Sequence, residues 1–214
     1  MDEYFEKVGR AEAGYTEIKH CGEKNKILLI GDSVCMGYRV FVQGNLNDEY
    51  DVVYPEENCR NSQYIITTLK AWVNMFENTD DVKLVSFNCG HWDVAHWNGD
   101  NESLTSIVEY EKNIKKIIRY LRKFFPKAKI VFFTTSPMCP NRTCDNYRSN
   151  SEIEKYNSIA VSAAQDENIY IADMYGFLKQ WDESKYIDHA HLTAESNKVL
   201  GKYVTNVILD ILKK

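Results

Sequence analysis

A chain of 214 residues that is 44% hydrophobic, 27% charged and 13% aromatic has the make-up of a single globular domain. At this size about 70% of the unfolded surface can be buried without disulfide staples. The formal net charge of −5 excludes the basic footprint of a nucleic-acid binder and the polybasic patch that holds a protein on an anionic membrane.

Residues 1–25 are charged throughout and fit no strand or helix rhythm, so they are expected to form an N-terminal extension to a domain spanning 26–214. They lack the apolar stretch of a secretory signal, and no later run reaches the ~18 apolar residues of a membrane span. The expected address is cytoplasmic. The six cysteines are accordingly expected to be free thiols. Cys139 and Cys144 have a C-x4-C spacing, but no second pair completes a zinc site.

Five short runs rich in β-branched, aromatic and aliphatic residues predict strands at 26–31, 50–55, 82–88, 128–135 and 169–174. Several are apolar at consecutive positions, as suits strands covered on both faces of a parallel sheet. Helical patterns alternate with them at 34–46, 61–77, 103–124, 150–166 and 194–212. In the third, Ile107, Tyr110, Ile114, Ile117, Ile118 and Leu121 recur at three- and four-residue steps, and Pro126 stops the pattern. The alternation predicts a three-layer, doubly wound α/β fold with strand order 2-1-3-4-5. The longest irregular segment, 136–150, follows the fourth strand at the carboxyl edge of the sheet, where long loops line or cover sites.

The first strand breaks at Gly31-Asp32-Ser33. Gly31 and Asp32 are turn formers and Ser33 is a good helix N-cap. The same place, where a strand meets a helix, is also the usual address of ligand sites in open α/β sheets. Near the other end, "YIDHAHLT" puts Asp188 three residues before His191, so a carboxylate can reach one imidazole nitrogen and leave the other for a substrate. Thr193 is the expected N-cap of the last helix.

With GDS after the first strand and D-x-x-H before the last helix, residues 26–212 resemble the SGNH or GDSL hydrolases, serine esterases and acylhydrolases on a flavodoxin-like sheet. The resemblance implies Ser33 as nucleophile, His191 as general base and acid, and Asp188 as its orienter. His189 and Asp173 are the competing imidazole and carboxylate. Two middle blocks depart from the family pattern. A Gly whose N–H binds the oxyanion is expected where Asn58, Cys59 and Arg60 stand. In the expected Gly-x-Asn-Asp, Gly90 and Asp93 match but Trp92 replaces the Asn.

The Ser33 N–H with the Asn58 and Asn88 amides is the expected oxyanion hole, although both Asn residues also suit turns that bond their own backbone. Arg60, His91 and Trp92 are candidate substrate residues; Arg60 suits a carboxylate or a polar sugar, or is simply a solvated surface charge. Cys35, Cys59 and Cys89 fall in three loops expected to meet, as small buried hydrophobes or as a redox-sensitive set. The chemistry calls for no metal or organic cofactor. The expected substrate is a small-molecule or carbohydrate ester with a short acyl group, acetyl first. A lipid or thioester acyl chain and a noncatalytic carbohydrate-binding module are the alternatives.

Overall fold

The structure, a computed structural model, describes residues 24–214, so the expected N-terminal extension and Cys21 lie outside the described residues but for Lys24 and Asn25. Strands and helices alternate as β1 (Lys26–Ile30), α1 (Ser33–Leu46), β2 (Asp51–Val53), α2 (Ser62–Val73), β3 (Val82–Phe87), α3 (Ile107–Phe124), β4 (Lys129–Phe133), α4 (Asn150–Asp166), β5 (Tyr170–Ala172), α5 (Met174–Leu178) and α6 (Ala194–Leu212). All strand pairs are parallel and the order is β2-β1-β3-β4-β5, as the alternation predicts.

Every residue of β1 is buried, because helices cover both faces of the sheet. Leu28 and Ile30 pack with Ile65, Leu69 and Trp72 of α2, Ile114 and Ile118 of α3 and Ala160 and Ala163 of α4. Ile27 and Leu29 point the other way, to Val34, Tyr38 and Val42 of α1 and Leu200, Val204 and Ile208 of α6. The period-two alternation of the strand thus splits one apolar run between two cores. Each fully buried aliphatic or aromatic side chain contributes roughly 1.5–3 kcal/mol by leaving water.

Several boundaries differ from the sequence expectation, each for a local reason. The edge strands are shorter: β2 ends before Tyr54-Pro55, where proline has no N–H to give a ladder, and β5 ends where Asp173 caps the short helix α5. The third helix begins at Ile107, not 103, because Ser106 caps it and the residues before it bond the loop after β3, Leu104 N–H to Ala95 O at 2.9 Å and Thr105 N–H to Asp93 O at 3.0 Å. Asn61 caps α2, and that helix ends at Val73 rather than 77. The N-cap of α1 is Asp32, so Ser33 is the first helical residue and not the cap.

Helices α1 and α6 lie against each other through small residues. A Cβ on Gly37 would come within 2.6 Å of Asn197 Oδ1, and one on Gly201 within 2.6 Å of Phe41 Cβ. The Asn45 amide donates to Thr205 Oγ1 across the same contact at 3.1 Å. This close approach brings the start of α1 beside the residues that precede α6.

Candidate active site

Asp32 N-caps α1, its Oδ1 accepting the Val34 N–H at 3.0 Å, which ends β1 and turns the chain sharply into the helix. Gly31 is required at this turn because a Cβ there would lie 2.1 Å from Asn88 Oδ1 and 2.5 Å from Cys35 Cβ. Ser33 is therefore half-buried at the carboxyl edge of the sheet, at the helix end where unpaired N–H groups and the macrodipole favour negative charge.

On the opposite side, the segment before α6 is held at several points. Tyr186 bridges Leu192, Ile187 N–H donates to His191 O at 2.8 Å, and Cys139 N–H donates to His189 O at 2.8 Å. Arg142 Nη1 donates to Ile187 O at 2.7 Å. Thr193 caps α6 as expected, accepting the Ser196 N–H, and Asn197 Nδ2 donates to Leu192 O at 3.1 Å.

This framework sets the His191 ring between two partners. Its Nδ1 is 2.7 Å from Asp188 Oδ2 and its Nε2 is 2.8 Å from Ser33 Oγ. An ionised carboxylate only accepts, so the Nδ1 proton faces Asp188 and Nε2 is left to accept the serine hydroxyl. Burial raises the Asp188 carboxyl. The His191 ring and the N–H groups of Ala190 and His191, both 2.8 Å from Oδ1, outweigh that and hold it well below the usual range. Asp188 stays ionised and fixes both tautomer and ring plane. A hydroxyl–imidazole–carboxylate chain of this geometry is competent to activate a serine hydroxyl.

Neither competitor enters this chain. His189 Nδ1 is 4.0 Å from Asp188 Oδ1, and the imidazole at Ser33 Oγ is that of His191. Asp173 caps α5, accepting the Gly176 N–H at 2.8 Å and the Thr134 hydroxyl at 3.2 Å. His96 Nε2 lies 3.0 Å from Glu152 across the fold, and its Nδ1 3.1 Å from Asp100 O.

The other named residues have these places. Asn88 is buried and donates to Asp32 Oδ1 at 3.1 Å, so one of its amide hydrogens braces the turn that carries Ser33; its Oδ1 has no partner. Asn58 accepts the Arg60 N–H at 2.8 Å in the local turn its residue type suits. Arg60, one of the three residues standing where a Gly is expected, has φ +52°, in the left-handed region that glycine favours. Its side chain turns away, 4.8 Å from the Tyr64 ring centroid, and is exposed.

His91 is buried with Nε2 2.9 Å from Ser136 Oγ, and burial pushes its imidazole well below the ordinary value. Trp92 is half-buried against Trp97, ring centroids 4.8 Å apart. Cys35, Cys59 and Cys89 are buried and free. Burial pushes the Cys35 thiol up to about 11 and the other two well above their usual range, with Cys35 adding to the rise of Cys59 and Cys59 to that of Cys89. No group of three metal-ligating side chains occurs among the described residues.

Three residues do work that sequence reasoning did not assign them, Asp93 among them although it already matched the Gly-x-Asn-Asp pattern. Asp32 reads as a turn former but is the buried brace between Ser33 and Asn88. Asp93 is fully buried and accepts the Ser62 N–H at 3.1 and 3.0 Å and the Ser62 hydroxyl at 2.5 Å, tying the loop after β3 to the start of α2. Gly90 beside it sits at φ +145°, where a Cβ would lie 2.0 Å from Thr135 Oγ1. The third is Arg148, in the irregular segment after β4, whose charge lies near enough to His91 and His189 to lower both imidazoles. Its only sequence signal is its position in that long loop.

Residues 29–199 match the GDSL-like Lipase/Acylhydrolase family, and the chain belongs to it. A GDSL esterase/lipase, CPRD49, from Arabidopsis thaliana is 22% identical over 113 residues, covering 48% of this chain and 44% of the relative, so the match spans under half of that protein. Among solved structures, the lipase/acylhydrolase from Enterococcus faecalis superposes with TM-score 0.68 at 15% identity, covering 86% of this chain and 95% of that one. Est24, a carbohydrate acetylesterase from Sinorhizobium meliloti, gives 0.67 at 14% identity, covering 88% and 100%. At these identities the likeness establishes a shared fold.

Proposed function

We propose that the protein is a serine esterase that removes short acyl groups, acetyl first, from carbohydrate esters through an acyl-enzyme on Ser33. The observation that carries this reading is the His191 ring, 2.8 Å from Ser33 Oγ and 2.7 Å from Asp188. Ser33 Oγ attacks the ester carbonyl carbon as its proton passes to His191 Nε2. The resulting tetrahedral oxyanion collapses, the C–O bond to the alcohol breaks, and the imidazolium returns the proton to the departing alkoxide. Water then repeats the sequence on the acyl-enzyme, releasing the carboxylic acid and restoring the Ser33 hydroxyl. Asp188, held ionised, stabilises the imidazolium each time it forms.

The Ser33 N–H at the start of α1 is the first oxyanion donor in this scheme. The second hydrogen of the Asn88 amide is the other, since its first is given to Asp32. Half-buried Trp92 and Trp97, with exposed Tyr147 beside His96, offer aromatic faces of the kind sugar rings pack on. The carbohydrate acetylesterase among the similar folds supports the same choice.

The substrate class is tested by comparing acetylated mono- and oligosaccharides with acyl-thioesters and with p-nitrophenyl esters of rising chain length. Release of acetate from the sugars, with kcat/KM toward p-nitrophenyl esters falling beyond short acyl groups, is the expected pattern. Preference for long acyl chains or thioesters would refute it.

A further inference from the structure

The irregular segment between β4 and α4 reaches back to the loop after β3. His96 N–H donates to Tyr147 O at 2.9 Å and the two residues form an isolated antiparallel bridge. Arg148, next in the chain, is carried by this bridge onto the paired indoles, its guanidinium carbon 5.8 Å from the Trp97 ring centroid. Trp97 in turn packs on Trp92.

Arg148 is within electrostatic reach of Cys144 in its own loop and of His91, His189, Asp188 and Asp32, the last two being partners of His191 and of the turn at Ser33. Yet it pairs with neither acid. Asp188 is taken by His191 and two N–H groups, and Asp32 Oδ1 accepts from Val34 and Asn88 while its buried Oδ2 has no partner. Among the described residues no carboxylate lies within ion-pair distance of Arg148, and its buried Nε has no hydrogen-bond partner. Arg142 pairs with Glu183 and Arg122 with Glu167, whereas Arg39, whose buried Nε is likewise without a partner, gives its two Nη groups to Pro55 O and Glu56 O. His91 contributes a second buried atom without a partner, Nδ1, in the same electrostatic neighbourhood.

A half-buried guanidinium without an anion is unfavourable in the free protein, and a site that leaves one so is matched to a ligand that brings the anion. We propose that Arg148 is a specificity residue that receives a carboxylate of the substrate, so that the preferred ester is an O-acylated acidic sugar, of the uronic acid type, rather than a neutral one. The inference rests on the carbohydrate-ester reading above and narrows it. It also places on a different loop the carboxylate-binding role for which the sequence offered Arg60 as a candidate. The planar guanidinium offers two parallel N–H donors to a carboxylate while its face rests on Trp97.

The test measures kcat/KM of the wild type, Arg148→Gln and Arg148→Lys toward matched O-acetylated methyl galacturonoside and methyl galactoside, at low and high salt. Hemisuccinate and butyrate esters of p-nitrophenol form a second arm that places the carboxylate on the acyl side instead. Expected is a wild-type acidic-to-neutral ratio well above one that falls by about tenfold to a hundredfold in Arg148→Gln, mainly through KM, and is only partly restored by Arg148→Lys. The ratio should also shrink as salt rises. Free galacturonate should inhibit the wild type more strongly than galactose, a readout that needs no variant.

A wild-type ratio near one, or a preference that survives in Arg148→Gln, overturns the inference while leaving the carbohydrate reading intact. A preference confined to the hemisuccinate arm overturns the sugar-acid assignment. Hydrolysis of p-nitrophenyl acetate without hydrolysis of either acetylated sugar refutes the carbohydrate reading, and the inference with it.

Discussion

Asn88 and Asn58 show how the same residue type at the same sheet edge does different work. Asn88 gives one amide hydrogen to Asp32 Oδ1 and stands against Gly31, so it braces the turn that presents Ser33. Asn58 bonds only the Arg60 N–H in its own loop. Asn88→Ala should therefore lower kcat and kcat/KM together by about 10^2–10^3, the usual effect of losing a transition-state donor, and should lower the thermal melt by unpairing a buried carboxylate oxygen. Asn58→Ala should cost about 1 kcal/mol of stability or less and leave kcat within a few-fold. Equal effects in kinetics and melting would contradict this division. Ser33, Asp188 and His191 were legible because two short local patterns carry them, GDS after a strand and D-x-x-H before a helix. Arg148 was not, because its position depends on a bridge between two loops about fifty residues apart.

Helix placement, more than helix content, aligns the site. Ser33 opens α1 and His191 lies three residues before α6, so the distance between them depends on how closely these two helices pack. Gly201→Ala puts a methyl group within 2.6 Å of Phe41 Cβ and 3.3 Å of Tyr38 O. It should cost roughly 1–3 kcal/mol by overpacking and lower kcat as the serine and imidazole move apart. Phe41→Ala added to Gly201→Ala should recover much of the activity. An unchanged kcat in Gly201→Ala would show that the contact does not set the alignment. Apolar runs made β1, β3 and β4 legible. The short edges were blurred because Tyr54-Pro55 and Asp173 have apolar or extended-looking neighbours but end pairing through a missing N–H and a cap.

Across the whole molecule, a buried acid and a half-buried one act in opposite pH windows. Burial pushes Asp93 up to about 6, against hydrogen bonds from Ser62, so the folded protein binds this proton more tightly than the unfolded chain does. Its contribution to stability is complete below the ordinary carboxylate value of 3.8 and is lost as pH rises through about 6. Asp188 is depressed, so its contribution is present above 3.8 and is lost as pH falls below it. The difference in unfolding free energy between wild type and Asp93→Asn should change by about 1–3 kcal/mol between pH 4 and 7, the wild type losing ground as pH rises. A pH-independent difference would contradict the assignment. The parallel sheet order was legible from the alternation of patterns, whereas Asp93 joining the loop after β3 to the start of α2 depends on a contact between residues thirty-one apart.

The proposed mechanism requires Ser33 to be the residue that takes up the acyl group. Treatment with a serine-directed phosphonate, followed by peptide mass spectrometry and p-nitrophenyl acetate assay, tests this most directly. The expected result is one modified peptide containing Ser33 and complete loss of activity, with Ser33→Ala unlabelled and slower by about 10^6 in turnover. Labelling at another serine, or a Ser33→Ala protein within tenfold of the wild type, would contradict it.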